Sequence, residues 1–186
     1  MRKLIEQKRQ LKFDQLNQLV DGWTETGEDP KAREKAYKKA KELFEDCLIG
    51  FLVDGYTLGL ISLNIDKEMP DPYMFLNIEY DGVTIEEKFR KYWETGDYES
   101  IKRLAESEAN RMWNQGSLLT GAKYKTWHTQ MDERVRDEHW PLEGITVPID
   151  GVFVTYTGDE GQGPGMFSQA YNNANCRCYL TVSNSK

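Results

Sequence analysis

The apolar residues of this chain recur every three or four positions as far as Gly116, then every second position from Tyr124 onward. A period near 3.6 marks a helix with one buried face, and a period of two marks a strand with one buried face. The chain is therefore expected to be α+β, with helices first and a small sheet last. The expected divisions are an N-terminal helical region at 1–66, a linker or extended segment at 67–82, and a small α+β domain with a short antiparallel sheet at 83–186. At 186 residues and 39% hydrophobic it can bury a core without covalent staples.

Within the helical part, residues 2–23 place Leu4, Ile5, Leu11, Leu16, Leu19, Val20 and Trp23 on one face of an amphipathic helix. A turn, TETGEDP, follows, and Asp29-Pro30 opens a second helix with Asp as cap and Pro at the first position. Ala36, Ala40, Leu43, Cys47 and Phe51 continue its buried stripe. Gly55 and Gly59 could admit another backbone, but the expectation is an ordinary core helix that frays near Gly55. Pro70 and Pro72 mark an irregular link. Thr84 and Glu87 form a capping box for a helix that stops at Gly96. Asp97 caps the next helix, 98–115, which is expected to end at Gly116. Strands are expected in YKTWHTQ, VPIDGVFVTY and CYLTVS, with GDEGQGPG as a Gly-rich loop.

Charge limits the partners. The formal charge of -7 repels DNA and anionic membranes at long range, so any DNA contact must be local and weak. The one candidate face is the basic run on the second helix: Lys31, Arg33, Lys35, Lys38, Lys39 and Lys41. The stretch Cys47–Leu63 carries Asp54 and three glycines in 17 residues, too short and too polar for a membrane span. The N-terminal fifteen residues lack the apolar core of a signal peptide, and three cysteines are too few for a disulfide framework. Both features point to synthesis in a reducing cytoplasm.

Two clusters could carry chemistry. His139, Cys176 and Cys178 form a partial zinc set whose fourth place His128, Asn173 or water could fill, although a structural site normally uses four protein ligands. The favoured alternative makes the two cysteines small core residues, two apart on one face of a strand, with His139 hydrogen-bonded nearby, so no cofactor is expected. Asp132, Arg134, Arg136, Asp137 and His139 could serve a nuclease or transferase, with His139 as general base and an arginine stabilising negative charge. No nucleophile elbow or phosphate loop accompanies them. Structural ion pairs, Glu108 with Arg111 and Asp132 with Arg136, are the expected use of these charges.

SEANRMWNQG, KTWHTQMDERVRDEHWPLEG, VPIDGVF and NCRC occur in this order, and the ordered set resembles the phage Mu F-like head morphogenesis domain over residues 80–182. The positions that match are Glu108, Arg111, Asn114, Lys125, Trp127, Asp132, Arg134, Arg136, His139, Leu142, Gly144, Phe153, Asn175, Cys176 and Cys178. Some members look metal-binding, with further ligands where this chain has Arg136 and Asn173. The first replacement is a permanent cation that would repel zinc. The resemblance thus implies a hydrogen-bonded and ionic cluster in place of a metal, with Arg136 on a carboxylate and Asn175 bonded to backbone through its amide.

The resemblance further implies a minor head protein of a phage or prophage. Its place would be the virion head, reached from the host cytoplasm, and its partners the portal protein and inner capsid. Its part would be in capsid assembly, genome packaging or ejection, without catalysis. Five Trp and ten Tyr could anchor such contacts. The competing expectation is a phage-borne nuclease or transferase toxin that uses His139 and the nearby Arg and Asp residues.

Overall fold

The structure, a computed structural model, describes residues 30–76, 79, 80 and 82–186, with helical backbone also at a few positions between 7 and 18. The amphipathic helix expected over 2–23 lies mostly outside the described residues, as do the following turn and the Asp29 cap.

Helix α1 (Pro30–Leu63) has Pro30 at its first position and runs 34 residues, about 50 Å at 1.5 Å per residue. Its stripe of Tyr37, Ala40, Phe44, Leu48, Phe51 and Leu52 is buried. By length and composition α1 could cross a membrane, yet this face packs into a core that includes residues of the two helices that follow. The fraying expected near Gly55 does not occur. α1 continues through Gly55 and Gly59 because both glycines meet other parts of the fold. A methyl group on Gly55 would lie 2.1 Å from the Trp113 carbonyl oxygen, and one on Gly116 would lie 2.1 Å from that of Leu52. The two helices touch backbone to backbone, and that contact requires glycine.

A 3-10 turn at Pro72–Phe75, capped by Asp71, leads to β1 (Glu79–Tyr80), which pairs antiparallel with β2 (Val83–Thr84). Helix α2 (Ile85–Thr95) opens on the expected capping box. The Glu87 N–H donates to Thr84 Oγ1 at 3.1 Å, and the Thr84 N–H donates back to the Glu87 carboxylate at 2.8 Å. It ends at Gly96, whose φ of 70° is left-handed. Asp97 then caps α3 (Tyr98–Leu118) through the Ser100 N–H at 3.0 Å. Gly116 is thus not a stop: it lies inside α3, where the close approach of α1 explains its presence.

Antiparallel strands β3 (Tyr124–His128), β4 (Thr146–Pro148) and β7 (Tyr179–Ser183) form a sheet of order β4-β3-β7. A second pair, β5 (Phe153–Val154) and β6 (Glu160–Gly161), places a short strand inside the expected Gly-rich loop. One turn of helix, α4 (Ala170–Asn173), precedes β7. The α+β class expected from the change of period is the one observed. Two cores result. The larger joins α1, α2, α3 and Tyr179, while the smaller gathers Trp127, Leu142, Phe153, Phe167, Cys176, Cys178 and Leu180.

Candidate functional site

The smaller core is where the sequence motifs meet. A turn after β3 brings His139 inward, its N–H donating to the Arg136 carbonyl at 2.9 Å. Its ring stacks on Phe167 at 5.6 Å and meets the Trp127 ring edge-on at 5.3 Å. Nδ1 faces the Sγ atoms of Cys176 and Cys178, each 3.7 Å away. Both cysteines lie in the segment that enters β7, ahead of the strand itself. All three side chains are buried. Hydrogen bonding with the Cys178 thiol, and then with His139, holds the Cys176 thiol well below its ordinary range despite the opposing effect of burial.

These are the donors of a soft-metal site, and all three lie within 4.8 Å of one another. They fit three corners of a tetrahedron. No fourth His, Cys, Asp or Glu joins them among the described residues. Asn173 spends both ends of its amide on the Phe167 backbone, accepting from its N–H at 2.8 Å and donating to its carbonyl at 2.7 Å. His139 Nε2 is buried without a hydrogen-bond partner, whereas a zinc-bound imidazole ordinarily donates from its second nitrogen. The set is therefore an incomplete fit to zinc.

The charges pair differently from expectation. Among the described residues Arg136 meets no carboxylate: it donates to the Ala174 carbonyl, with its guanidinium 5.7 Å from the centre of the Tyr171 ring. Asp132 turns to Arg177 instead, in a two-pronged contact of 2.5 and 2.8 Å. The Arg177 guanidinium keeps the Asp132 carboxyl below its usual range. The backbone from Asp132 to Arg136 is an irregular turn and not a helix, so the i,i+4 geometry that would pair them is missing, and the Arg177 guanidinium takes both carboxylate oxygens instead. Arg134 stays largely exposed, 3.9 Å from the same carboxylate. Asn175 acts through its backbone, at a φ of 54°, with its N–H on Ser107 Oγ at 3.1 Å.

The remaining motif residues hold α3 against the sheet. Glu108 and Arg111 form the expected pair, at 2.7 Å and almost wholly buried. Asn114 is fully buried: its Oδ1 accepts from the Leu180 N–H at 2.9 Å, and its Nδ2 donates to the carbonyls of Asn110, Pro164 and Cys178. Gly144 donates to the Trp127 carbonyl at 2.9 Å. Trp127 and Phe153 pack edge to face at 5.2 Å, and Leu142 is buried beside them. Lys125 shares a strand face with Trp127, and its buried Nζ has no hydrogen-bond partner. Burial pulls its pKa down to about 8, with the negative charge of Asp150 opposing.

Sequence reasoning missed two networks. Asp159, buried in the Gly-rich segment, accepts from Ser168 Oγ, from Asn172 Nδ2 at 2.7 Å and from the Gln169 N–H at 3.3 Å, which ties that segment to α4. Glu143 accepts from the Thr129 N–H at 2.5 Å and contacts His128 Nδ1 at 3.3 Å, while His128 Nε2 meets Thr181 Oγ1 at 2.9 Å. An aspartate amid glycines and a His two residues before Gln130 carry no local signal of such partners. The basic face of α1 is also thinner than its sequence suggests. Arg33 donates to the Trp93 and Glu94 carbonyls at the end of α2, Lys41 bridges to Glu86 at 2.8 Å, and Lys38 lies 4.0 Å from Glu34. Lys31, Lys35 and Lys39 are exposed.

A long helix on a helical pair, continued into a small sheet and fastened at the joint by buried polar side chains, defines an α+β scaffold domain. The chain belongs to the family described as Phage Mu protein F like protein, whose model matches residues 80–181. Minor head protein GP7 of Bacillus phage SPP1 is 36% identical over 56 residues, which cover 30% of this chain and 18% of that protein. The NAD(+)--arginine ADP-ribosyltransferase EFV of Enterococcus faecalis is 33% identical over 92 residues, 44% of this chain and 18% of that protein. The chain thus spans about a fifth of the length of these curated relatives. No solved structure matches.

Proposed function

We propose that this chain is the head morphogenesis domain of a phage or prophage minor head protein. In this reading it is a structural component of the virion head, made in the host cytoplasm, that meets the portal and inner capsid during assembly, packaging or ejection. The observation that carries the reading is that His139, Asp132 and Asn114, three of the family-pattern residues, are spent on holding the fold. His139 is 1% exposed, Asp132 is held by Arg177, and Asn114 joins helix to strand. A general base must reach the proton it removes, and His139 is enclosed by Trp127, Phe167 and two cysteines. The similarity to a minor head protein supports the same role.

The enzyme reading draws on the name of the second relative, but the match covers 18% of that protein. The cluster is also proposed to work without metal, since Arg136 and Asn173 stand where further ligands would be needed and both have other partners. DNA contact, if it occurs through α1, is weak and salt-sensitive. Tagged protein added to a particle-producing lysate is expected to recover portal protein. Host killing that disappears in a well-folded His139→Ala variant, with no portal recovered, would overturn the assembly reading.

A further inference from the structure

Cys176 and Cys178 are both thiols, they flank Arg177, and each turns its sulfur to the same atom, His139 Nδ1, at 3.7 Å. The two sulfurs lie within 4.8 Å of each other, and a disulfide brings them to about 2.05 Å. Fully extended, residues two apart hold their α-carbons about 7 Å from each other, just past the roughly 6.8 Å that a disulfide spans. Residues 176–178 precede β7 and belong to no strand, so no ladder fixes them at full extension. An opening of about 10 Å3 reaches both sulfurs between Gln130, Val135, Arg136 and His139, room for about one water-sized molecule. Hydrogen peroxide is the class of oxidant nearest that size.

We propose that Cys176 and Cys178 form a peroxide-responsive dithiol whose closure to a disulfide loosens the joint between α3 and the sheet. One sulfur attacks a peroxide oxygen, the O–O bond breaks, and the thiol proton leaves with the departing oxygen as water. The other sulfur attacks the resulting sulfenic acid, the S–O bond breaks, and the second thiol proton leaves with that oxygen as another water. Two thiols and one hydrogen peroxide thus become one disulfide and two waters, with two electrons passing from sulfur to peroxide. His139 Nδ1 faces both thiols and is placed to relay each proton. The reaction runs once per chain, which makes it a switch and not catalysis. Its effect follows from what hangs on the same segment. Arg177 grips Asp132 in its two-pronged contact, the Asn175 N–H donates to Ser107 Oγ on α3, and the Cys178 carbonyl accepts from Asn114 Nδ2 at 3.4 Å. Drawing the two cysteines together bends the backbone at Arg177 and pulls against these contacts, while so short a ring adds little stability of its own.

The test treats the reduced full chain with hydrogen peroxide, then alkylates it and maps the cysteines by mass spectrometry. The segment holding Cys176 and Cys178 is expected to lose two hydrogen masses and to escape alkylation while Cys47 is still alkylated. The Tm should fall by several degrees and be restored by dithiothreitol. Closure should slow at least about tenfold in His139→Gln, whereas Cys176→Ser and Cys178→Ser should each stop at the sulfenic acid. The serine variants decide the matter should His139→Gln fail to fold, since loss of two hydrogen masses in either would overturn the proposal. It is equally overturned if both thiols remain open to alkylation, if sulfinic acid or a disulfide through Cys47 forms instead, if closure leaves the Tm unchanged, or if a folded His139→Gln closes at the wild-type rate.

Discussion

Lys125 is placed at a cost to the fold. A fully buried amine with no hydrogen-bond partner is charged at neutral pH at the expense of stability. Its pKa falls from 10.5 unfolded to about 8 folded. Below pH 8 both states hold the proton and the full cost is present. As pH rises from 8 to 10.5 the folded state releases its proton first, so this group makes stability rise with pH across that window. Lys125→Met is expected to stabilise the protein at pH 7 by up to about 3 kcal/mol and to abolish the rise, as read from urea midpoints at several pH values. A destabilised variant would mean that Lys125 has an anionic partner in solution. Arg136 is the opposite case: its partner is a backbone carbonyl at a half-exposed site. Arg136→Ala should therefore cost only about 1 kcal/mol, whereas Asn114→Ala, which strands several buried groups, should cost about 3 kcal/mol. Denaturant melts of the two variants that gave the reverse order would contradict the assigned partners.

At the scale of elements, the features legible in the sequence were the local ones. The Thr84–Glu87 box, the Gly96 stop and the Asp97 cap each use partners within a few residues, so their chemistry can be read along the chain. Gly116 could not be read this way, and at Gly55 the close approach was only the lesser reading, because each answers to a backbone about sixty residues distant. Glycine then carries the same letter whether it ends a helix or lets two helices touch. Gly116→Ala should cost about 3 kcal/mol by overpacking, seen as a lowered Tm, and an unchanged Tm would mean that the helices can separate there. The basic face of α1 was legible as composition and misleading as surface, since Arg33 closes α2 and Lys41 pairs with Glu86. DNA binding by that face should largely vanish at about 200 mM salt, and tight binding retained there would reveal a nucleic-acid site elsewhere.

For the whole molecule, the convergence of His139, Cys176 and Cys178 was suggested by residue type and ordered motif, while the pairing of Asp132 across to Arg177 was not. Ion-pair choice in an irregular turn depends on where a segment 45 residues later returns, which spacing alone does not state. If that joint needs no metal, purified protein should carry far less than one zinc per chain, and chelator should leave its Tm unchanged. About one zinc per chain, lost in Cys176→Ser, would contradict this. The central claim is that the domain works through its shape and surfaces rather than through a reaction. Complementation of particle infectivity by a series of His139 and Asp132 variants, each plotted against its Tm, tests it most directly. Infectivity is expected to follow Tm along one curve, with Asp132→Asn milder than Asp132→Ala. A His139→Ala protein with near-native Tm and infectivity lower by several orders of magnitude would contradict the claim.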